Sequence, residues 1–289
     1  MRGSRRRAAR KPDGWKPSAP RCLRCTALAL ALLLLASAFC GAMDRAELGK
    51  IIKTIPPNGP FWKYGNVVMR AKSRKAGMAP VVFSHWSHRA RYTCRVCHLE
   101  LGFSMRSGDT GITRSQYLAG KYCGACHNGT TAFTVADGSK RQCQKCHLED
   151  TKALQQQFKE FSAKLPLSAF GNGIDWSAAL TQEAINPVNT LDPVYSAIKL
   201  PDNLRKPIKL GTAQPRSDVR FSHEDHSVEL DCSSCHPDIF AIKKKSTESF
   251  TMDNNIFGNF CGACHMQVAF PMNDCQRCHP SMNNSSSPF

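Results

Sequence analysis

Six times the chain writes Cys, two residues, Cys, His, and a polypeptide that repeats this pentapeptide folds around what the pentapeptide binds. The copies are CRVCH (Cys94, Cys97, His98), CGACH (Cys123, Cys126, His127), CQKCH (Cys143, Cys146, His147), CSSCH (Cys232, Cys235, His236), CGACH (Cys261, Cys264, His265) and CQRCH (Cys275, Cys278, His279). In one helical turn the two thiols stand side by side, and the next residue is carried beneath a ring bridged between them. This is the attachment pattern of covalently bound haem c: two thioethers and a proximal histidine on iron. Fifteen Cys and ten His scattered over 289 positions would give roughly 0.03 copies by chance. Zinc ribbons and disulfide frameworks also use paired cysteines, but neither needs a His after every second Cys. The expectation is six covalent haem c groups, with His98, His127, His147, His236, His265 and His279 as proximal ligands.

Residues 1–25 hold nine Arg or Lys and one Asp, followed by an apolar run from Ala27 to about Ala38. That reads as a secretory signal over 1–42, its apolar stretch too short for a comfortable membrane span; an uncleaved anchor, with membrane association through the N-terminus, is the alternative. Cys22 and Cys25 repeat the spacing without the His and lie in the signal. The pI of 9.4 invites a nucleic-acid reading, which the arithmetic removes. Without residues 1–42 the chain carries 30 basic and 21 acidic residues, a net +9. Twelve propionates bring this to about −3, or about +3 with six ferric irons, so no nucleic-acid partner is expected. Lys243, Lys244 and Lys245 are the most local charge feature: a solvated loop, or a patch for an acidic partner.

The chain is a duplication. FSHWSHRARYTCRVCH (Phe83 to His98) returns as FSHEDHSVELDCSSCH (Phe221 to His236), offset by 138 residues, and the offset holds through the second motif of each copy. The division is a signal over 1–42, an N-terminal extended arm over 43–82, module one over 83–148, a linker with a helix over 149–220, module two over 221–280 and a disordered tail over 281–289. Modules this short cannot bury a sizeable core of their own side chains. Short helices at the motifs and little sheet are expected. In the linker, Leu154, Phe158, Phe161 and Leu165 recur at helical spacing between Asp150 and Leu165. Trp176 and Leu180 read as packing residues, and the proline-rich run after them as surface chain.

Subtracting six proximal ligands from ten His leaves His85, His88, His223 and His226, all in the two FSHxxH elements. Residues three apart on a helix project about 60° apart, whereas two ligands of one iron must oppose each other. Each His of a pair therefore serves a different haem, and the element brackets two. Four such ligands leave two irons to find another ligand or stay open.

FSHxxH, CxxCH, GxxCGACH and a third CxxCH, with AGMAPVVFSH and GNGIDW around them, resemble the c7-type trihaem cytochromes, relatives of cytochrome c3, as strung together in nanowire-like carriers. The resemblance implies a small α, mostly irregular fold of tandem trihaem modules with haems as the core. It implies His85 and His223 as distal ligands of each module's first haem, and His88 and His226 of the second. It also implies Met252, from the triplet Phe250–Thr251–Met252, on the third haem of module two. Module one has Arg114 at that place, with Met105 as a remoter sulfur. The function implied is electron transfer between redox-protein donor and acceptor by an exported, bacterial-type periplasmic protein with no small-molecule substrate. A reductase with one five-coordinate haem, or a subunit of a membrane quinol-oxidising complex, are the alternatives.

Overall fold

A computed structural model describes residues 63–106, 108–210, 218–241, 251–270 and 272–282. The chain divides into Met1–Asp44, outside those residues, and Arg45–Phe289. The signal, the Lys243–Lys245 run and the end of the tail also lie outside them, and no helix among the described residues is long and apolar enough to cross a membrane.

Sheet is confined, among the described residues, to two antiparallel strand pairs. β1 (Asn66–Met69) pairs with β2 (Val81–Ser84), Asn66 opposite Ser84, and β3 (Ile208–Leu210) pairs with β4 (Val219–Phe221), Ile208 opposite Phe221. Each pair delivers an FSHxxH element, which becomes the short helix His85–Arg89 or His223–Ser227. The described part of the arm is therefore not extended throughout. Val67 and Val68 alternate faces against Phe83 and Val82, and the helix Ala71–Lys75 turns the chain back between the strands. The corresponding strand β3 lies in the linker, so the duplication extends upstream of both brackets.

The linker also does more than cross the surface. Its helix forms over Lys152–Ser162 and buries Phe158, and a second helix spans Trp176–Thr181. Trp86, Phe158, Leu165, Ile174, Trp176, Ala179 and Ile185 make one buried cluster, with Leu154, Phe161 and Leu180 against it. Trp86 meets Phe158 and Phe161 at ring-centroid separations of 5.3 Å each. Asn172 accepts from Trp176 Nε1 at 3.1 Å, and Asp175 caps the second helix by accepting from Ala178 N at 3.0 Å. The side-chain core thus forms against module one, whose bracket carries Trp86; the matching position of module two is Glu224.

The modules meet through side chains of opposite sign. Arg89 donates to Glu229 at 2.8 Å and stacks over Trp176 at 4.4 Å. Arg95 is 8 % exposed, donates to Asp231 at 3.2 Å and to Glu100, and lies 3.4 Å from the Tyr195 ring centroid. Burial at this depth makes the pairing obligatory, because an unmatched guanidinium would lose its hydration for nothing.

Candidate haem sites

Each attachment motif is one helical turn. The histidine N–H donates to the first cysteine's carbonyl at 2.8 Å in His127 and His279, 2.9 Å in His147 and His236, and 3.0 Å in His265. The first motif instead runs into the π-helical turn Val96–Glu100. In the second motif of each module the small residue is required. A Cβ on Gly124 would stand 2.0 Å from Tyr117 O, and one on Gly262 1.7 Å from Asn255 O. The residue before each of these motifs, Tyr122 or Phe260, takes a left-handed backbone, φ 53° and 47°. Their rings meet Phe103 and Phe240 at 5.3 and 5.9 Å.

Nearly every histidine has one nitrogen held by backbone. Among proximal candidates, Nδ1 lies 2.9 Å from Phe103 O in His98, 3.0 Å from Phe133 O in His127 and 2.7 Å from Ala79 O in His147. It lies 2.6 Å from Phe240 O in His236 and 2.9 Å from Phe270 O in His265. In the brackets, His85 meets Gly65 O at 2.8 Å, His88 meets Ser84 O at 2.9 Å and His226 meets Ser222 O at 2.7 Å. A carbonyl can only accept, so Nδ1 carries the proton in these eight, and Nε2 is left with its lone pair free for a metal. Burial drives the same way: it lowers His85 and His265 to about 4 and holds His88 and His98 below the ordinary imidazole range. Burial likewise pushes the Cys94 thiol up to about 12 and those of Cys97, Cys123, Cys264 and Cys278 to about 11.

Three histidine pairs face one another. His85 and His98 have centroids 6.5 Å apart and planes 7° apart; His88 and His127 are 6.3 Å apart at 54°; His226 and His265 are 6.2 Å apart at 67°. Two metal–imidazole bonds of about 2.0 Å, with each ring's own radius added, place centroids roughly 6.3 Å apart. The spacing therefore fits one iron between each pair. It also sends His85 and His88 to different motifs. Burial, then the neighbouring His236 and His226, hold His223 below the ordinary imidazole range, and no ring contact joins it to His236 among the described residues. No ring faces His147 or His279 among the described residues.

A connected cavity of about 2690 Å³ is lined by eleven of the twelve motif cysteines and eight of the ten histidines; Cys232, His223 and His236 lie outside that lining. Shared among six motifs it gives about 450 Å³ each, within the roughly 300–1,000 Å³ of ordinary cofactor pockets. Met252, the first residue of the helix Met252–Ile256, lines the same connected cavity, as do Met105, Arg114, His147 and His279. The residues fit haem: paired neutral imidazoles, adjacent thiols and a void of the right size.

The family model described as "Cytochrome c7 and related cytochrome c" matches residues 81–148 and 219–280. Both modules belong to the cytochrome c7 family. As a c7-type protein the chain carries six covalent haem c groups, and electron transfer through haem is its chemistry. A solved c7-type three-haem cytochrome domain is 38% identical over 29% of this chain and 91% of its own, with a TM-score of 0.24. The C-terminal hexahaem fragment of a dodecahaem cytochrome c is 25% identical over 74% of this chain and 96% of its own, also at 0.24. The full dodecahaem protein is 27% identical over 76% and 75% at the same score. No curated protein matches the chain. The c7 modules also contain what motif reading missed: a Phe four to six residues after His98, His127, His236 and His265 whose carbonyl anchors that histidine. Its signal was a recurring aromatic downstream of four motifs.

Proposed function

We propose that this is an exported hexahaem electron carrier working between redox-protein partners, with the two FSHxxH brackets each joining the first and second haems of a module. The observation that carries it is the set of three facing imidazole pairs 6.2–6.5 Å apart. In this reading His85 with His98, His88 with His127, His223 with His236 and His226 with His265 would hold the irons of four haems, and the paired cysteines would supply the covalent attachment. Bound haem supplies one-electron oxidation and reduction. The chain orients eight of the ten imidazoles through Nδ1 and gathers the attachment motifs around one connected cavity. The basic segment and apolar run over 1–42 support export. Reduced-minus-oxidised spectra of His88→Ala test the bracket: six haems should remain attached while a high-spin component appears. A wholly low-spin spectrum with no replacement ligand would refute the assignment.

A specific observation keeps a reductase as the second reading. Thr113 and Thr251 cap equivalent helices, and the residue after each is Arg114 in one module and Met252 in the other. We assign Met252 to the iron of His279, and Met105 as the candidate sulfur for that of His147, because a guanidinium stays protonated and cannot ligate. Near-infrared magnetic circular dichroism separates the outcomes. A sulfur-to-iron band lost only in Met252→Ala leaves the His147 site open to a small ligand, and one reduced in both Met252→Ala and Met105→Ala makes the protein a carrier throughout.

A further inference from the structure

We propose that Arg89 is the positioning residue of the electron step between modules: its guanidinium is shared by the first haem site of module one and the second haem site of module two, and it sets their potentials together. The proposal rests on the carrier reading above and on the pairs His85–His98 and His226–His265. It places the crossing at sites that do not follow one another along the chain.

The backbone of Arg89 belongs to module one. It is the last residue of the bracket helix His85–Arg89, one turn beyond His85. Its side chain reaches module two, where Nη1 donates to Val268 O at 3.4 Å and Nη2 to Glu229 Oε2 at 2.8 Å. Val268 lies in the loop that fixes the second motif. The N–H groups of Gln267, Val268 and Ala269 all donate to Cys264 O, at 3.2, 3.0 and 3.1 Å, and Phe270 O holds His265 Nδ1. The guanidinium therefore ties the helix that carries one site's distal histidine to the loop that holds the other site's proximal one.

Both members of the ion pair are pinned. The Trp176 ring lies 4.4 Å from the guanidinium carbon, and Arg95 N donates to Glu229 O at 3.1 Å. The Arg89 and Glu229 side chains are 12 % and 16 % exposed, and both residues line the cavity. Arg89 Nε and Glu229 Oε1 are buried with no hydrogen-bond partner among the described residues. An unused guanidinium N–H on this wall is a donor that suits a haem propionate.

The bracket as such does not require the cation. Ser227 stands at the same place in module two, and its hydroxyl donates to Glu224 O at 2.9 Å. What Arg89 adds acts at the junction, and electrostatics decides how. Oxidation of either iron adds one positive charge to its site. A fixed cation nearby opposes that change and raises the potential; the Glu229 carboxylate works the other way. Solvent and salt screen a buried charge weakly. Burial is the largest influence on His85, Cys94, Cys264 and His265, and the Arg89 charge acts on all four. A cation common to both sites lifts both, so the difference between them stays small. In the step itself one electron leaves ferrous iron on one side, ferric iron on the other accepts it, and no atom or proton moves.

The test is site-resolved redox titration by NMR on the full haem-loaded chain, for the parent, R89M, R89K, E229Q and K159Q, the last on the exposed face of the linker helix. At a fixed potential R89M should shift the His85–His98 and His226–His265 sites about tenfold toward ferric iron, a fall of about 59 mV for one electron. That shift should persist at about 0.5 M salt. E229Q should move the same two sites in the opposite direction, and R89K should recover most of what R89M loses. The His147 and His279 sites, and all sites of K159Q, should stay at parent values. R89M and E229Q moving the same way, as a merely loosened junction would make them, overturns the proposal. So does a change at one of the two sites alone, or an equal change at all six. E229Q carries the test by itself should R89M not assemble with six haems. A high-spin signal from either site in the parent would refute the ligand pairs instead, independently of Arg89.

Discussion

The Tyr64 hydroxyl donates to the Ala269 carbonyl at 2.6 Å, and through that bond the first bracket of module one is joined to the second motif of module two. Tyr64 precedes Gly65, whose carbonyl holds His85, and Ala269 precedes Phe270, whose carbonyl holds His265. Two histidines of different modules are thus positioned by adjacent residues of one contact. Tyr64→Phe is expected to retain six haems, lower stability by about 1 kcal/mol, and shift the reduction potentials of the His85 and His265 sites while the His147 site stays put. Site-resolved redox titration by NMR checks this; an equal shift at all sites would show a general loosening instead.

The angles between facing rings make a spectroscopic prediction. The near-parallel planes of His85 and His98, 7° apart, should give a rhombic low-spin ferric EPR signal. The twisted pairs His88–His127 at 54° and His226–His265 at 67° should give the broad, highly anisotropic low-spin signal of crossed imidazoles. Low-temperature EPR of the oxidised protein should show both kinds, and His85→Ala should remove the rhombic one while sparing the others.

Gly124 and Gly262 have no room for a methyl group, since the obstructing atoms are backbone carbonyl oxygens 2.0 and 1.7 Å from the Cβ position. Gly124→Ala and Gly262→Ala should each cost about 2–3 kcal/mol and raise susceptibility to proteolysis in the affected module alone. Limited proteolysis followed by mass spectrometry locates the damage. The exposed Gly120→Ala is a poorer probe, because its φ of 73° strains any side chain whatever the space.

Arg95 is the most heavily committed charge at the module junction, with Glu100, Asp231, the Asn189 carbonyl and the Tyr195 ring all on one guanidinium. Arg95→Ala leaves the half-buried carboxylates of Glu100 and Asp231 without their counter-charge, though still hydrogen-bonded by Thr190, Leu191 N and Tyr195, which costs about 3 kcal/mol. The expected result is a lower denaturation midpoint with six haems still attached. Arg95→Lys should recover part of the loss, since an ammonium supplies the charge but not the planar fork.

The chemistry was legible in the sequence because haem attachment is local: five consecutive residues carry the thiols, the ligand and the turn that presents them. Three-residue spacing on a helix sets His85 and His88 in different directions, and their rings meet those of His98 and His127 respectively. What stayed hidden was long-range. Nothing near Trp86 in sequence announces Phe158, and nothing near Arg95 announces Asp231, because contacts across 72 and 136 residues are written by shape and charge rather than by spacing. The Gly65 and Ala79 carbonyls that anchor His85 and His147 were hidden for a further reason: any residue can offer a carbonyl, so backbone acceptors leave no mark in composition.

Arg89 and Arg95 stand opposite Glu229 and Asp231 only because the two copies no longer match. At the offset of 138, Glu229 answers Arg91 and Asp231 answers Thr93. Two unaltered first copies set together in this way would bring Arg89 to a second guanidinium and leave Arg95 with Glu100 as its one carboxylate. The divergence therefore made the halves non-interchangeable, each being the other's mate and neither its own. At this face each half closes on the other through charges that a second copy of itself does not carry.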